Sequence, residues 1–344
     1  MAFTNLYKSL LKHCSIIVDM KKLFKLLFLS PFIFAAIGCD GGNSDMSSEE
    51  GKVSSVKVLP ETVDVIVISG QSNAVGCTQA ECIKRSIGYT AYQDYMQGYE
   101  DIQIAYDCLT KDVDPNDSSR TIFYSQNKSK NNDFVKVMLG QGNSLATFGP
   151  EIGIAQTLHE KYANKLFIIK YACGASNLKD DWCKKDSPMY GRFVEYVKQQ
   201  MNNLKAKGTT PTIKAMCWMQ GEGDSYDGYY QEYYQNTKDF VTNLRADFKE
   251  FAGNKDFPFI DAGINNSKDP SSGALIWQYY RKVNEAKQQF AEESENNIYI
   301  DTIEAGMHTD QEPFSTVDAC HYDSESEVLL GELFANAFEP FLEK

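Results

Sequence analysis

The sequence predicts an α/β fold, a three-layer α/β/α sandwich built on a central, mainly parallel sheet. Three observations predict it. From residue 63 onward, short runs rich in β-branched and other apolar residues recur along the chain. The runs are apolar almost without interruption, which suits parallel strands covered on both faces rather than strands with one wet face. Between them lie longer stretches with apolar residues at helical spacing, and strand, helix, strand in repetition is the signature of a doubly wound sheet.

Taken in order, the expected strands are 63–69 (VDVIVIS), 102–106 (IQIAY), 166–171 (LFIIKY), 213–219 (IKAMCWM), 257–263 (FPFIDAG) and 297–301 (NIYID). Tyr190, Phe193, Val194, Val197, Met201 and Leu204 mark one amphipathic helix, and Tyr233, Thr237, Phe240, Val241 and Leu244 mark another. Trp277, Val283, Ala286 and Phe290 mark a third, and Val328, Leu329, Leu333, Phe334 and Phe338 a last one. Residues 107–145, with KDVDPNDSSR and QNKSKNND, read as a long loop insertion over one edge. In sheets of this kind ligands bind just beyond the carboxyl ends of the strands.

At 344 residues, 42% of them hydrophobic, the chain is long and apolar enough for one large α/β domain, expected over 61–344, and it shows no internal repeat. Residues 1–39 stand apart. Lys21, Lys22 and Lys25 precede an apolar run over 26–37 broken only by Ser30 and Pro31, the plan of a secretory signal too short for an ordinary membrane span. Met20 is the expected true start. Ala36, Ile37, Gly38, Cys39 resembles a bacterial lipoprotein signal, in which Cys39 becomes the lipidated first residue; a plain signal peptide cut nearby is the alternative. Either reading exports the protein, to the outer membrane or cell surface if lipidated and otherwise to the periplasm. Residues 40–60, rich in Gly, Ser and acid at their start, read as a flexible tether.

Loss of residues 1–38 removes five Lys and one Asp and takes the net charge from −13 to −17. Such a surface repels nucleic acid and anionic lipid, so membrane contact is expected only through lipid on Cys39. Beyond Cys39, seven Cys remain for the folded part: Cys77, Cys82, Cys108, Cys173, Cys183, Cys217 and Cys320. Their spacing is not that of a zinc site, and an odd number leaves at least one free. Export permits a disulfide, with Cys77 and Cys82 or Cys173 and Cys183 the nearest candidates, while Cys217 reads as a small buried hydrophobe within its strand.

Chemistry-bearing residues collect where the strands end. Gly70, Gln71, Ser72, Asn73 follow the first strand directly. A serine at a strand-to-helix turn is a candidate nucleophile, and equally a candidate helix cap. The turn is not the Gly-x-Ser-x-Gly elbow, because Ala74 stands at the second glycine position. Ala172 to Ser176 follow the third strand, and Gln220, Gly221, Glu222, Gly223, Asp224 the fourth. The N–H of Gly174 and the amide of Gln220 are candidate oxyanion donors, although each glycine also suits a plain turn. Near the C-terminus Asp318 precedes His321 by one short turn, a spacing that brings a carboxylate to Nδ1 and leaves Nε2 for a serine. His159 reads as a helix-surface residue, and His308 lies in a loop without an evident companion.

Together these clusters resemble the SGNH hydrolase superfamily, a flavodoxin-like fold, and within it the branch of sialic-acid-specific acetylesterases and acetylxylan esterases known as carbohydrate esterase family six. Ser69 to Asn73 resembles the first block, with Ser72 as nucleophile; FGPEIGIA (148–155) resembles the phrase before the third strand. Residues 170–178 are similar to the second block, WMQGEGD (218–224) to the third, and Asp318 with His321 to the last. The likeness runs from about residue 63 to 340. Departures are Ala175 for a usual Gly, Cys173 for a bulky residue, and Gln220 where the wider superfamily has an Asn donor.

The resemblance implies acyl transfer from an acetylated carbohydrate through an acyl-enzyme on Ser72, with His321 as base and Asp318 as its orienter. Gly174 and Gln220 would hold the oxyanion beside the N–H of Ser72, with Gln71, Asn73 and Glu222 as further substrate-side or supporting residues. No metal or other cofactor is needed, and no His-x-x-x-His ligand set is present. Trp182, Trp218 and Tyr226, Tyr229, Tyr230, Tyr233, Tyr234 are candidate sugar-stacking faces or core. Other readings are a sialate O-acetylesterase in particular, a glycan-binding lipoprotein without turnover, a lipase or thioesterase of the same superfamily, and a cysteine hydrolase using Cys173 or Cys320.

Overall fold

The computed structural model describes residues 59–162, 164–309, 312 and 317–342. The expected signal segment, Cys39 and most of the tether lie outside the described residues.

The fold is the expected α/β/α sandwich. Strand β1 (Thr62–Gly70) is buried along all but its first residue and forms the sheet's axis. Small strands β2 (Thr78–Gln79) and β6 (Thr147–Phe148) pair with each other apart from the main sheet. The rest are β3 (Tyr99–Asp114), β4 (Asp117–Lys128), β5 (Val135–Val137), β7 (Leu166–Gly174), β8 (Thr210–Met219), β9 (Phe259–Ala262) and β10 (Asn297–Ile300). The main sheet runs β10-β9-β8-β1-β7-β3-β4, with β5 also on β3. From β10 to β3 every pairing is parallel; β4 and β5 join β3 antiparallel.

Residues 107–145 are therefore not a long loop. Most of the segment continues β3 and returns as β4, an antiparallel ribbon on the sheet's edge. Its charged residues hide the strands because an edge ribbon is held by its backbone ladder and does not need an apolar pattern. The reversal is made at Pro115 and Asn116, where the Asp114 carboxylate accepts the N–H of Asn116 at 2.9 Å.

Helices α1 (Ser72–Val75), α2 (Ile83–Ser86), α3 (Tyr89–Gln97), α4 (Glu151–Leu158), α5 (Tyr190–Ala206), α6 (Tyr233–Phe248), α7 (Tyr280–Ala291) and α8 (Ser324–Phe338) cover the sheet. One face is packed by aromatics: Trp182 meets Trp218 edge-on at 5.4 Å, and Phe240 of α6 lies 4.8 Å from Trp218. On the other face α4 and α8 cross backbone to backbone. A Cβ on Gly153 would stand 1.9 Å from the carbonyl oxygen of Val328, and one on Gly331 2.1 Å from that of Pro150, so no larger residue fits.

The disulfide expectation is corrected: all seven cysteines of the described residues are free thiols. Cys77 is only partly buried while Cys82 is enclosed; in the second pair the Cys173 thiol donates to the Gly174 carbonyl and the Cys183 thiol to that of Lys179. Cys217 is buried in β8, as its apolar setting suggested.

Candidate active site

Strands β1 and β8 converge where β1 ends. Gly70 has φ 139°, and a Cβ there would lie 2.0 Å from the Met219 carbonyl oxygen, so only glycine lets the chain turn off the sheet. Ser72 then opens α1, a single turn stopped by Gly76 in the left-handed conformation. The helix-cap alternative for Ser72 does not describe this turn: Gln71 holds the cap position, and among the described residues the Ser72 hydroxyl makes no hydrogen bond. Ser72 stays partly exposed while Asn73, Ala74 and Val75 are buried beneath it.

On the segment leading into α8, His321 Nδ1 lies 2.8 Å from Asp318 Oδ2. The other carboxylate oxygen accepts the backbone N–H groups of Cys320 and His321 at 3.0 and 3.2 Å. These bonds hold Asp318 below the usual carboxylate range although burial pushes it the other way. Burial also disfavours the His321 cation, but the neighbouring Cys77 and Asp318 outweigh it and hold the imidazole well above its ordinary pKa of about 6.5. Cys77, whose position no motif marks, stands beside the imidazole.

Two further bonds fasten the serine turn to the histidine segment. Asn73 Oδ1 accepts the N–H of Tyr322 at 3.2 Å, and Thr78 Oγ1 donates to the Tyr322 carbonyl at 2.8 Å. Ser72 and His321 thus flank one rim, without a direct hydrogen bond between them among the described residues. In free enzymes such bonds are often long and tighten only with substrate bound.

The third block works differently from the expectation. Gln220 is fully buried and commits its amide nitrogen to Asp224 Oδ2 at 2.6 Å and Gln71 Oε1 at 3.2 Å, while its oxygen accepts the Tyr233 hydroxyl. It is not an open donor. Asp224 in turn accepts the N–H groups of Leu178 and Lys179, and burial pushes its carboxyl up to about 6. The open amide is that of Gln71: its oxygen receives Gln220 Nε2 and the N–H groups of Gly221 and Gly223, at 3.2, 3.3 and 3.0 Å. Among the described residues its nitrogen has no acceptor, so Gln71 is oriented with two N–H bonds to spare.

Asn73 and Glu222 face each other rather than a ligand. Asn73 Nδ2 donates to Glu222 Oε1 at 2.8 Å; Glu222 is buried, which raises its pKa, and its Oε2 has no partner among the described residues. Gly174 ends β7 at the rim, partly exposed, and Ala175 after it takes φ 60°, the left-handed conformation that a glycine adopts without strain. Trp182, Trp218 and Tyr233 are core, not sugar platforms; Tyr226 is exposed, and Tyr230 stacks on Tyr279 at 4.3 Å. Burial raises the Cys173 thiol far above its ordinary pKa, unsuited to a nucleophile. His159 packs at 4.9 Å on Tyr99, and His308 contributes its backbone to the start of α8. Among the described residues no group of three or more His, Cys, Asp or Glu is placed to hold a metal ion.

Known structures share this architecture. A protein from Arabidopsis thaliana is 20% identical, with a TM-score of 0.52 over 82% of this chain and 100% of its own. NanS is 16% identical, with a TM-score of 0.53 over 83% of this chain and 98% of its own. No curated protein sequence matches. The family model described as carbohydrate esterase, sialic acid-specific acetylesterase matches residues 62–339, from the first residue of β1 to the end of α8. The chain therefore belongs to the sialic acid-specific acetylesterase family of carbohydrate esterases, SGNH-type hydrolases.

Proposed function

We propose that the protein is a carbohydrate O-acetylesterase that works through an acyl-enzyme on Ser72. The observation that carries this reading is the 2.8 Å pairing of Asp318 with His321 Nδ1, on a segment bonded at Tyr322 to the turn that presents Ser72. Nε2 is then the nitrogen left to take the serine proton. Ser72 Oγ attacks the acetyl carbonyl, the ester C–O bond breaks, and the proton held by His321 passes to the departing sugar hydroxyl. Water repeats the sequence on the acyl-enzyme and releases acetate. The oxyanion is held by the N–H groups of Ser72 and Gly174 and by the Gln71 amide, which its three donors fix in place.

The family description favours sialate esters as a second reading; acetate release from O-acetylated sialosides beside acetylated xylo-oligosaccharides separates the two. The N-terminal residues support export with a lipid anchor on Cys39, which metabolic labelling with a fatty-acid probe tests.

The decisive experiment is acetate release by purified protein and its Ser72→Ala variant. The variant is expected to keep its fold and lose hydrolysis. Equal activity in both refutes the assignment, and binding of glycan without acetate release by the wild type would leave a binding protein.

A further inference from the structure

The edge ribbon bears on the rim. Strand β3 is paired with β7 as far as Thr110, which stands opposite Gly174, and then continues to Asp114. At about 3.3 Å per residue the ribbon overhangs Gly174 by about 13 Å.

Directly opposed residues of neighbouring strands share a face of the sheet. Tyr124 of β4 is opposite Thr110, and Thr110 is opposite Gly174, so all three lie in one row on one face. Two strand spacings, about 10 Å, separate Tyr124 from Gly174 along that row. Lys170 shares this face by its register in β7, and its ammonium donates to the carbonyl of Val75 at 3.1 Å, at the end of the turn that Ser72 begins. Residues of the ribbon one step out of phase point the other way: Lys111 pairs with Asp181 at 2.7 Å, and Phe123 lies under the guanidinium of Arg192 on α5. Tyr124 is thus on the same side of the sheet as the nucleophile.

The ribbon is also fixed to the nucleophile's turn. Asn127 Nδ2 donates to the carbonyls of Gly140 and Gly142 at 2.9 and 3.0 Å, and the N–H of Asn143 donates to the Gly76 carbonyl at 2.9 Å. Tyr124 is 43% exposed, and Leu145, in the connecting loop, is 84% exposed. Asp112 stands opposite Ile122, two residues from Tyr124 in β4, so its carboxylate shares the face on which Tyr124 lies. Of the ribbon's cations, Lys111 and Arg120 are paired with Asp181 and Asp114, and Lys128 stands opposite Asp107 on the other face, which leaves the Asp112 carboxylate as the charge beside the ring on this face.

We propose that Tyr124, with Asp112 beside it on the same face, is the platform on which the sugar ring adjoining the acetylated one stacks, and that this wall selects neutral acetylated glycans over anionic ones. An aromatic ring offers the C–H face of a pyranose a large apolar contact at small entropic cost, and the Asp112 carboxylate repels a carboxylate-bearing sugar. The inference rests on the esterase reading above and deepens it.

The test is kinetic, with p-nitrophenyl acetate, an acetylated xylo-oligosaccharide and an O-acetylated sialoside as substrates. Tyr124→Ala is expected to lose about ten times more kcat/KM on the xylo-oligosaccharide than on p-nitrophenyl acetate, mainly through KM, and Tyr124→Phe to recover most of it. The wild type is expected to prefer the xylo-oligosaccharide, and Asp112→Asn to narrow that preference. Equal losses of Tyr124→Ala on both substrates, no loss on the oligosaccharide, or wild-type preference for the sialoside would overturn the platform while the esterase reading stands. Wild-type cleavage of p-nitrophenyl acetate with neither glycan hydrolysed would overturn the carbohydrate reading and the platform with it.

Discussion

The side-chain oxygen of Asn73 accepts the backbone N–H of Tyr322 at 3.2 Å, while its nitrogen donates to the buried Glu222 at 2.8 Å. One carboxamide ties together three stretches of chain that are far apart in sequence: the turn of Ser72, the loop after β8, and the segment of His321. Asn73→Ala leaves Glu222 and the Tyr322 N–H without these partners, and each orphaned buried group costs about 1–3 kcal/mol. The variant is expected to melt several degrees lower and to lose kcat. Unchanged melting would show that the bridge carries no load.

The pH profile follows from the base. On the proposed mechanism His321 takes the serine proton only when neutral, and its pKa is held well above 6.5, against burial, by Cys77 and Asp318. Below that raised value the imidazole is protonated, so kcat/KM is expected to climb with pH through an acid limb lying above about 6.5. Asp318→Asn removes part of the upward push; its limb is expected at lower pH, with kcat reduced about 10²- to 10⁴-fold. A limb that stays in place would exclude Asp318 as the partner. In stability the sign is opposite: Asp318 is depressed, so its contribution is present above the usual carboxylate pKa and fades as the pH falls through the folded value.

Gln71 and Gln220 differ in what their amides have left to give. Gln71→Ala removes an oriented donor and is expected to lower kcat about 10²- to 10³-fold with the fold retained. Gln220→Ala reaches the reaction only by releasing Gln71, and is expected to cost less in rate and more in stability. Steady-state kinetics beside thermal melting checks the pair; a larger rate loss for Gln220→Ala would reverse the roles.

Beneath the site Lys170 and Glu151, both fully buried, meet at 2.7 Å, and the ammonium also donates to the carbonyls of Gln141 and Val75. Lys170→Met strands the Glu151 charge and is expected to cost about 3–5 kcal/mol in urea unfolding. Replacing both residues with apolar ones is expected to recover most of that loss. A double variant no better than the single would show that the carbonyls, not the carboxylate, need the lysine.

How much of this was legible in the sequence depends on what each residue needs. The central strands announce themselves because β1, β7 and β8 are covered on both faces and so are apolar throughout. Ser72, Gly174 and the Gln220 cluster stand at their ends, where a change from apolar to small and polar is visible by eye. Asp318 and His321 are local partners, three residues apart, and local spacing can be read. The extended β3 and β4 were hidden because a solvent-edge ribbon has no apolar pattern to display. The exchange of roles between Gln220 and Gln71 was hidden for another reason: which amide is left open depends on Asp224, Tyr233 and two backbone N–H groups, none of them fixed by motif spacing. The contact of Cys77 with His321 is likewise tertiary.

The glycine crossing of α4 and α8 has a consequence for when the protein becomes active. Since α8 is seated through Gly153 and Gly331 and His321 lies just ahead of it, a growing polypeptide that stops short of residue 318 already holds Ser72 and the Gln71 amide yet lacks the proposed base. On the proposed mechanism hydrolysis is expected only once the last helix docks, so substituting Gly331 with a bulky residue should uncouple a correctly paired sheet from a working catalyst.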